Sequence, residues 1–236
     1  MILSYIFIMY LVDTIDYQKI CCIIKTFEDN ILFQKNYHST WFLKSIANIQ
    51  KEKYNYGLEV AFVGYSNSGK SSIINALTNQ KKLAKISRTP GRTRLINIFS
   101  VTSEIRLVDF PGYGYAQVSR SISKKWKEMI FQYLNIQKCL QGLVIITDIR
   151  CPIKEIDELV INLAVSLNIP ILLLLNKMDK VTRSIQKSKL FSTREKMLNF
   201  SNNINVELFS SFKKIGIHKL QFVLNNWFSS DKKLCQ

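Results

Sequence analysis

Between positions 64 and 71 the chain reads Gly64-Tyr65-Ser66-Asn67-Ser68-Gly69-Lys70-Ser71, two glycines spaced by four residues and followed at once by a lysine and a hydroxyl. Glycines let the backbone fold tightly enough for successive N–H groups to converge on an anion, and a helix starting at that point adds partial positive charge. The pattern is the phosphate-cradling G-x-x-x-x-G-K-[ST] loop. In it Lys70 reaches the β- and γ-phosphates and the Ser71 hydroxyl is a ligand for Mg²⁺.

Two further segments add to that chemistry. Asp109-Phe110-Pro111-Gly112 closes an apolar stretch. A carboxylate there can hold Mg²⁺ through water, and the Gly112 amide can approach a γ-phosphate with no side chain in the way. Asn176-Lys177-Met178-Asp179 follows another apolar stretch. The Asp179 carboxylate can accept from N1–H and N2–H₂ of guanine, whereas adenine has an unprotonated N1 and no amine at C2. Asn176 is placed to tie loops together, and the aliphatic stem of Lys177 can cover the base plane. Between the first two motifs lies the basic, turn-rich run Ser87-Arg-Thr-Pro-Gly-Arg-Thr-Arg94, which a γ-phosphate and metal could order. Thr89 and Thr93 are both able to ligate the metal. Taken singly, each segment also reads as an ordinary turn; their order and spacing imply a guanine-nucleotide switch.

Such a site needs strands that end at one rim of a sheet. Leu58 to Val63 is a buried-strand pattern leading into the glycine loop, and Ser71 to Leu77 has helix character. Ile96 to Val101 and Ile105 to Asp109 read as a hairpin that introduces one antiparallel strand. Strands Gly142 to Thr147, Ile171 to Leu175 and Val206 to Phe209 then alternate with helices Ser121 to Ile136, Ile153 to Leu167 and Ser184 to Phe200, and a last helix runs from Ile217 to Phe228. The expected fold is α/β, a doubly wound, mostly parallel sheet with helices on both faces and ligands at the carboxyl ends of its strands. Residues 57–230 are expected to form the domain, 1–56 an extension and 231–236 a tail.

Lys and Arg outnumber Asp and Glu 33 to 17, a formal charge of +16 over 236 residues. That field attracts phosphate-rich partners such as RNA or a ribosome, although a Lys-, Asn- and Ile-rich chain can also reflect genome composition. The helix from Ser184 carries Lys187, Lys189, Arg194 and Lys196 against one acid, Glu195, and the later segments add Lys213, Lys214, Lys219, Lys232 and Lys233. The five cysteines lack C-x-x-C spacing and have only His38 and His218 as companions, which argues against zinc and for reduced thiols in a cytoplasmic protein. The apolar run Met1 to Val12 is too short to span a bilayer and is interrupted by Asp13 and Asp16. It reads as an extra element, a surface anchor, or sequence upstream of a start at Met9.

The segments GYSNSGKSS, SRTPGRTRLINIF, VDFPGYGYA, LNKMDK and FSSFKKIGIHKL, which between them cover nearly all of 57–230, resemble the EngB (YihA/YsxC) family of bacterial GTPases within the TrmE-Era-EngA-EngB-Septin-like P-loop group. The resemblance implies GTP hydrolysis with Mg²⁺ and a role in assembly of the large ribosomal subunit and in normal division and septation; the chain is expected to be a monomer and, with Tyr113 after Gly112, to turn over slowly. It also implies that Thr93 is the switch metal ligand, that Gly91, Arg92, Thr93, Arg94 and Leu95 touch nucleotide, and that Phe209, Ser210 and Ser211 form the loop beside the guanine ring. Lys70, Thr93 and Gly112 are then the expected catalytic residues. Two positions depart from common GTPase patterns. Tyr113 follows Gly112 where many GTPases carry a water-orienting glutamine, and Asn67 stands where related glutamine-less GTPases hold potassium. Rival readings are an RNA- or ribosome-binding scaffold with the nucleotide as a structural ligand, and a membrane-associated division factor resting on Met1 to Val12. An ATPase is the weakest, since adenine offers Asp179 the wrong donors.

Overall fold

A computed structural model of the chain describes residues 35–47, 56–84, 95–114, 120–151 and 153–229. The apolar run Met1 to Val12, the basic segment with Thr89, Gly91, Arg92, Thr93 and Arg94, and the tail 231–236 lie outside the described residues. In chain order the elements are β1 (Trp41–Ile46), β2 (Leu58–Gly64), α1 (Lys70–Leu77), β3 (Ile96–Ser100), β4 (Ile105–Asp109), α2 (Arg120–Ile136), β5 (Leu140–Asp148), α3 (Glu155–Ser166), β6 (Ile171–Asn176), α4 (Arg183–Leu198), β7 (Ile204–Leu208) and α5 (Ile217–Ser229).

The seven strands form one sheet in the order β1-β3-β4-β2-β5-β6-β7. β2 pairs in parallel with both β4 and β5, and β6 continues the parallel run from β5 to β7. β3 is the one strand of opposite sense, antiparallel to both β4 and β1, as the expected hairpin requires. Because successive side chains on a strand point to opposite faces, the central strands feed two cores. Val60, Phe62, Val144, Ile146, Leu172 and Leu174 pack with α1 and α5 through Ile73, Leu77, Leu220 and Leu224. Ala61, Val63, Leu143, Ile145, Leu173 and Leu175 pack with α2, α3 and α4 through Ile130, Val160, Ala164 and Met197. Helices on both faces account for the unbroken Ile171-Leu-Leu-Leu-Leu175 run, since every position of β6 is buried.

The compact unit that carries the sheet starts at Asn36, upstream of the boundary at 57 expected from sequence pattern. β1 belongs to it: Trp41 to Ile46 pairs with Ser100 to Ile96, and Tyr37 Oη donates to Asn225 Oδ1 of α5 at 2.8 Å. Its sequence shows no alternation because it is an edge strand, with Trp41, Phe42 and Leu43 all exposed and Ile46 alone buried. Main-chain pairing places it, and an apolar pattern does not report that.

A buried polar cluster ties β2, β4 and α2 together. Glu59 accepts from Arg106 Nε at 2.8 Å, from Tyr133 Oη at 2.8 Å and from Gln137 Nε2 at 2.7 Å, while Arg106 Nη2 donates to the Tyr56 carbonyl. Burial and the Glu59 charge hold the Tyr133 hydroxyl well above its ordinary pKa, so it stays a donor. Removing one member of a satisfied buried pair leaves the other charge without compensation. Glu59→Ala is expected to lower unfolding free energy by about 3–5 kcal/mol, read from urea titration. A loss below about 1 kcal/mol would show that the cluster contributes little.

Candidate functional site

The glycine loop runs from the last residue of β2 to the first of α1, so Gly64 and Lys70 are fixed by regular structure at either end. Inside it Asn67 (φ 63°) and Gly69 (φ 100°) take left-handed backbone conformations, tolerated best by glycine and asparagine. A Cβ on Gly69 would lie 2.2 Å from Asn176 Nδ2, so any side chain there would push the Asn176 amide off the loop.

Asn176 and Lys177, at the end of β6, hold the loop from across the sheet. Asn176 Nδ2 donates to the Ser68 carbonyl at 2.8 Å and its Oδ1 accepts from Ser211 N at 3.2 Å. Lys177 Nζ donates to the Asn67 carbonyl at 2.6 Å and sits 3.1 Å from Asp148 Oδ2. Phe209, Ser210 and Ser211 follow β7 and meet the same segment, with Met178 N donating to the Phe209 carbonyl at 3.1 Å. Ser210 Oγ donates to Asp179 Oδ1 at 2.5 Å. That bond is the main reason the Asp179 carboxyl stays below its ordinary pKa, with Lys180 adding to it. At neutral pH Asp179 is therefore an ionised acceptor.

At the end of β4, Asp109 is buried and accepts from Lys70 Nζ. The chain then runs alongside the loop: Ser66 N donates to the Tyr113 carbonyl at 2.8 Å, and Tyr113 N to the Gly64 carbonyl at 3.4 Å. A Cβ on Gly112 would lie 3.0 Å from Ser66 Oγ, so glycine is what lets the two segments touch. Phe110 is buried, and the Pro111 carbonyl accepts from Trp126 Nε1 of α2 at 2.8 Å. Tyr113 does not face the loop with its hydroxyl. Its ring centroid lies 4.3 Å from that of Trp126, and its hydroxyl donates to Asp157 of α3. Burial, reinforced by Asp157, pushes the Tyr113 hydroxyl far above its ordinary pKa, and burial also raises Asp157.

The structure thus brings together Gly64 to Ser71, Asp109 to Gly112, Asn176 to Asp179 and Phe209 to Ser211 at one sheet rim. Leu95 is exposed ahead of β3; Gly91, Arg92, Thr93 and Arg94 lie outside the described residues. Beside the loop a cavity of about 450 Å³ is lined in part by Tyr65, Ser66, Asn67, Asp148, Arg150 and Lys154. Sequence reasoning missed Asp148, which closes β5 in the same way that Asp109 closes β4. Arg150, and then Lys177, hold its carboxyl well below the usual range. Asp157 was missed too, though it stands in the first turn of α3 where its Oδ2 accepts from Lys154 N at 2.9 Å, a familiar position for an acid.

The oxygen donors suit Mg²⁺. Ser71 follows Lys70, Asp109 pairs with it, and no group of three or more His, Cys, Asp or Glu forms a metal cage among the described residues. Mg²⁺ is commonly held by one or two such side chains with water and substrate phosphates completing the shell.

A loop of this geometry, a carboxylate at the end of the neighbouring β4 and an ionised acceptor after β6 define a P-loop GTPase, and residues 59–177 match the family described as "50S ribosome-binding GTPase". The chain is 55% identical over 193 residues to a probable GTP-binding protein EngB of Buchnera aphidicola subsp. Schizaphis graminum, covering 82% of this chain and 96% of that protein. It is 54% identical over 194 residues to the namesake from Hamiltonella defensa subsp. Acyrthosiphon pisum, covering 82% and 95%. A crystal structure of a probable GTP-binding protein EngB shares the fold with a TM-score of 0.57 and 21% identity, over 72% of this chain and 98% of that one. The chain belongs to the EngB family of GTP-binding proteins.

Proposed function

We infer that this GTPase is a Mg²⁺-dependent switch in assembly of the large ribosomal subunit, monomeric and cytoplasmic, on which normal division and septation depend. The observation that carries the nucleotide part is the charged Asp179, fixed by Ser210 beside a loop that Asn176 and Lys177 already hold in shape. Residues 57–230 supply its G domain, with β1 as an added edge strand.

In this reading the N–H groups of the glycine loop other than those of Ser66 and Ser68, which are given to the Tyr113 and Tyr65 carbonyls, surround the phosphates, and Lys70 leaves Asp109 for the β- and γ-oxygens. Ser71, Thr93 and, through water, Asp109 would hold Mg²⁺, which supplies positive charge against the phosphates when bound. Gly112 donates its N–H to the γ-phosphate, and residues 91–95 contact the nucleotide. Water attacks the γ-phosphorus, the bond to the bridging oxygen breaks, and GDP and phosphate leave with the water's protons on phosphate. Tyr113 is committed to Asp157 and orients no water, so intrinsic turnover is slow. Asn67, exposed in a left-handed conformation at the cavity, is the position for a potassium ion.

The ribosomal part is supported by the family description and by the +16 charge. Arg194, Lys196 and Lys219 form ion pairs with Glu207, Glu158 and Glu207 that are too exposed to resist competition from RNA phosphates. Among the described residues no helix is long and apolar enough to cross a membrane. Co-sedimentation with large subunits in GTP, GDP or no nucleotide, at two salt levels, tests the reading. GTP should give the most binding, falling roughly tenfold or more as salt rises from about 50 to 200 mM. Equal pelleting in all three states, with no phosphate release stimulated by subunits or potassium, would favour a scaffold that keeps its nucleotide as a structural ligand.

A further inference from the structure

A buried hydroxyl in the glycine loop has no partner in the contacts described so far. Ser66 Oγ is shielded from solvent and finds no hydrogen-bond partner among the described residues. Leaving a buried hydroxyl unpaired is costly, so such groups commonly mark a place where something else binds. Its surroundings narrow what that is. Ser66 stands directly against Gly112, whose missing side chain is what brings the two within contact. The main-chain N–H of Ser66 is already given to the Tyr113 carbonyl, so the hydroxyl is the donor this residue has left for a ligand. The residue after Gly112 cannot take that part, because its hydroxyl is buried against Asp157 and its ring is packed on Trp126.

The geometry points to Ser66 as a catalytic residue of the hydrolysis, its hydroxyl donating to a γ-phosphate oxygen and accepting from the attacking water. The assignment rests on the nucleotide reading of this pocket and adds a side chain to it. Ser66 bridges nucleophile and phosphate without itself changing protonation: water's oxygen bonds to the γ-phosphorus, the bridging oxygen departs with GDP, and the proton passes to phosphate. A hydroxyl suits this task because it is at once a donor and an acceptor. It also senses the third phosphate, since GDP offers it no γ-oxygen.

The test uses the full chain and two substitutions, Ser66→Ala and Ser66→Cys, the latter near in size but a poor hydrogen-bonding group. Binding of GDP and of a non-hydrolysable GTP analogue is titrated, and phosphate release is followed in a single turnover with saturating enzyme. GDP affinity should stay within about twofold of wild type, analogue affinity should fall about tenfold, and the single-turnover rate should fall at least about tenfold in both variants. An unchanged rate and an unchanged preference for the analogue over GDP would overturn the role of Ser66 and leave the pocket intact. A wild-type chain that binds neither nucleotide would overturn the pocket reading itself, and the wild-type titration isolates that failure.

Discussion

Asp179→Asn should turn a guanosine triphosphate site into one that prefers xanthosine triphosphate. Ser210 Oγ engages Oδ1 of Asp179, and an asparagine keeps an oxygen there. The change therefore falls on Oδ2, where an acceptor becomes an NH₂ donor. Guanine presents N1–H and an amine to that position, so one hydrogen bond is lost and two donors are set against each other. Xanthine carries a carbonyl in place of the amine and welcomes the new donor. A lost charge-assisted bond with an unpaired donor costs roughly 3 kcal/mol, about 100-fold in affinity. Competition titration of the two triphosphates reads the switch. Asp179 would not be the base reader if the variant kept the wild-type order of preference.

Lys70→Ala should abolish measurable nucleotide binding and also weaken the protein without nucleotide. The two effects have different causes. Affinity is lost because the glycine-loop lysine that reaches the β- and γ-phosphates is gone. Stability is lost because Asp109, buried at the end of β4, loses its partner, and an orphaned buried charge costs about 3–5 kcal/mol. The double substitution Lys70→Ala with Asp109→Asn separates them, since it removes the stranded charge without restoring the cation. Urea titration should show stability recovered in the double variant while calorimetry shows no nucleotide binding. Wild-type affinity in Lys70→Ala would remove the loop from the phosphate site.

Much of this site was readable from residue types because its chemistry is local. A glycine loop declares itself through Gly64, Gly69 and Lys70 standing together, and an acid or amide that ends an apolar strand is visible at Asp109 and Asn176. The hairpin and the alternation of strands with helices followed from hydrophobic period, with the ends of elements displaced by a few residues: β5 begins at Leu140, and α3 at Glu155, where Asp157 caps the Lys154 amide. What escaped depends on three-dimensional company. Tyr113 and Asp157 are 44 positions apart, and nothing in either neighbourhood announces that the tyrosine is spoken for. Asp148 could have been found by the rule that found Asp109. β1 could not, because an edge strand with three exposed apolar residues owes its place to the main chain of β3.

The braces on the glycine loop come from far along the polypeptide: Asn176 reaches Ser68 over 108 positions and Lys177 reaches Asn67 over 110. On the ribosome that makes this chain, the loop emerges long before the residues that set its shape. A nascent polypeptide that has exposed Gly64 to Ser71 but not yet Asn176 has a phosphate signature without a phosphate grip. Competence to hold nucleotide then arrives late in synthesis, together with the docking of β6, when β7 has still to join the sheet.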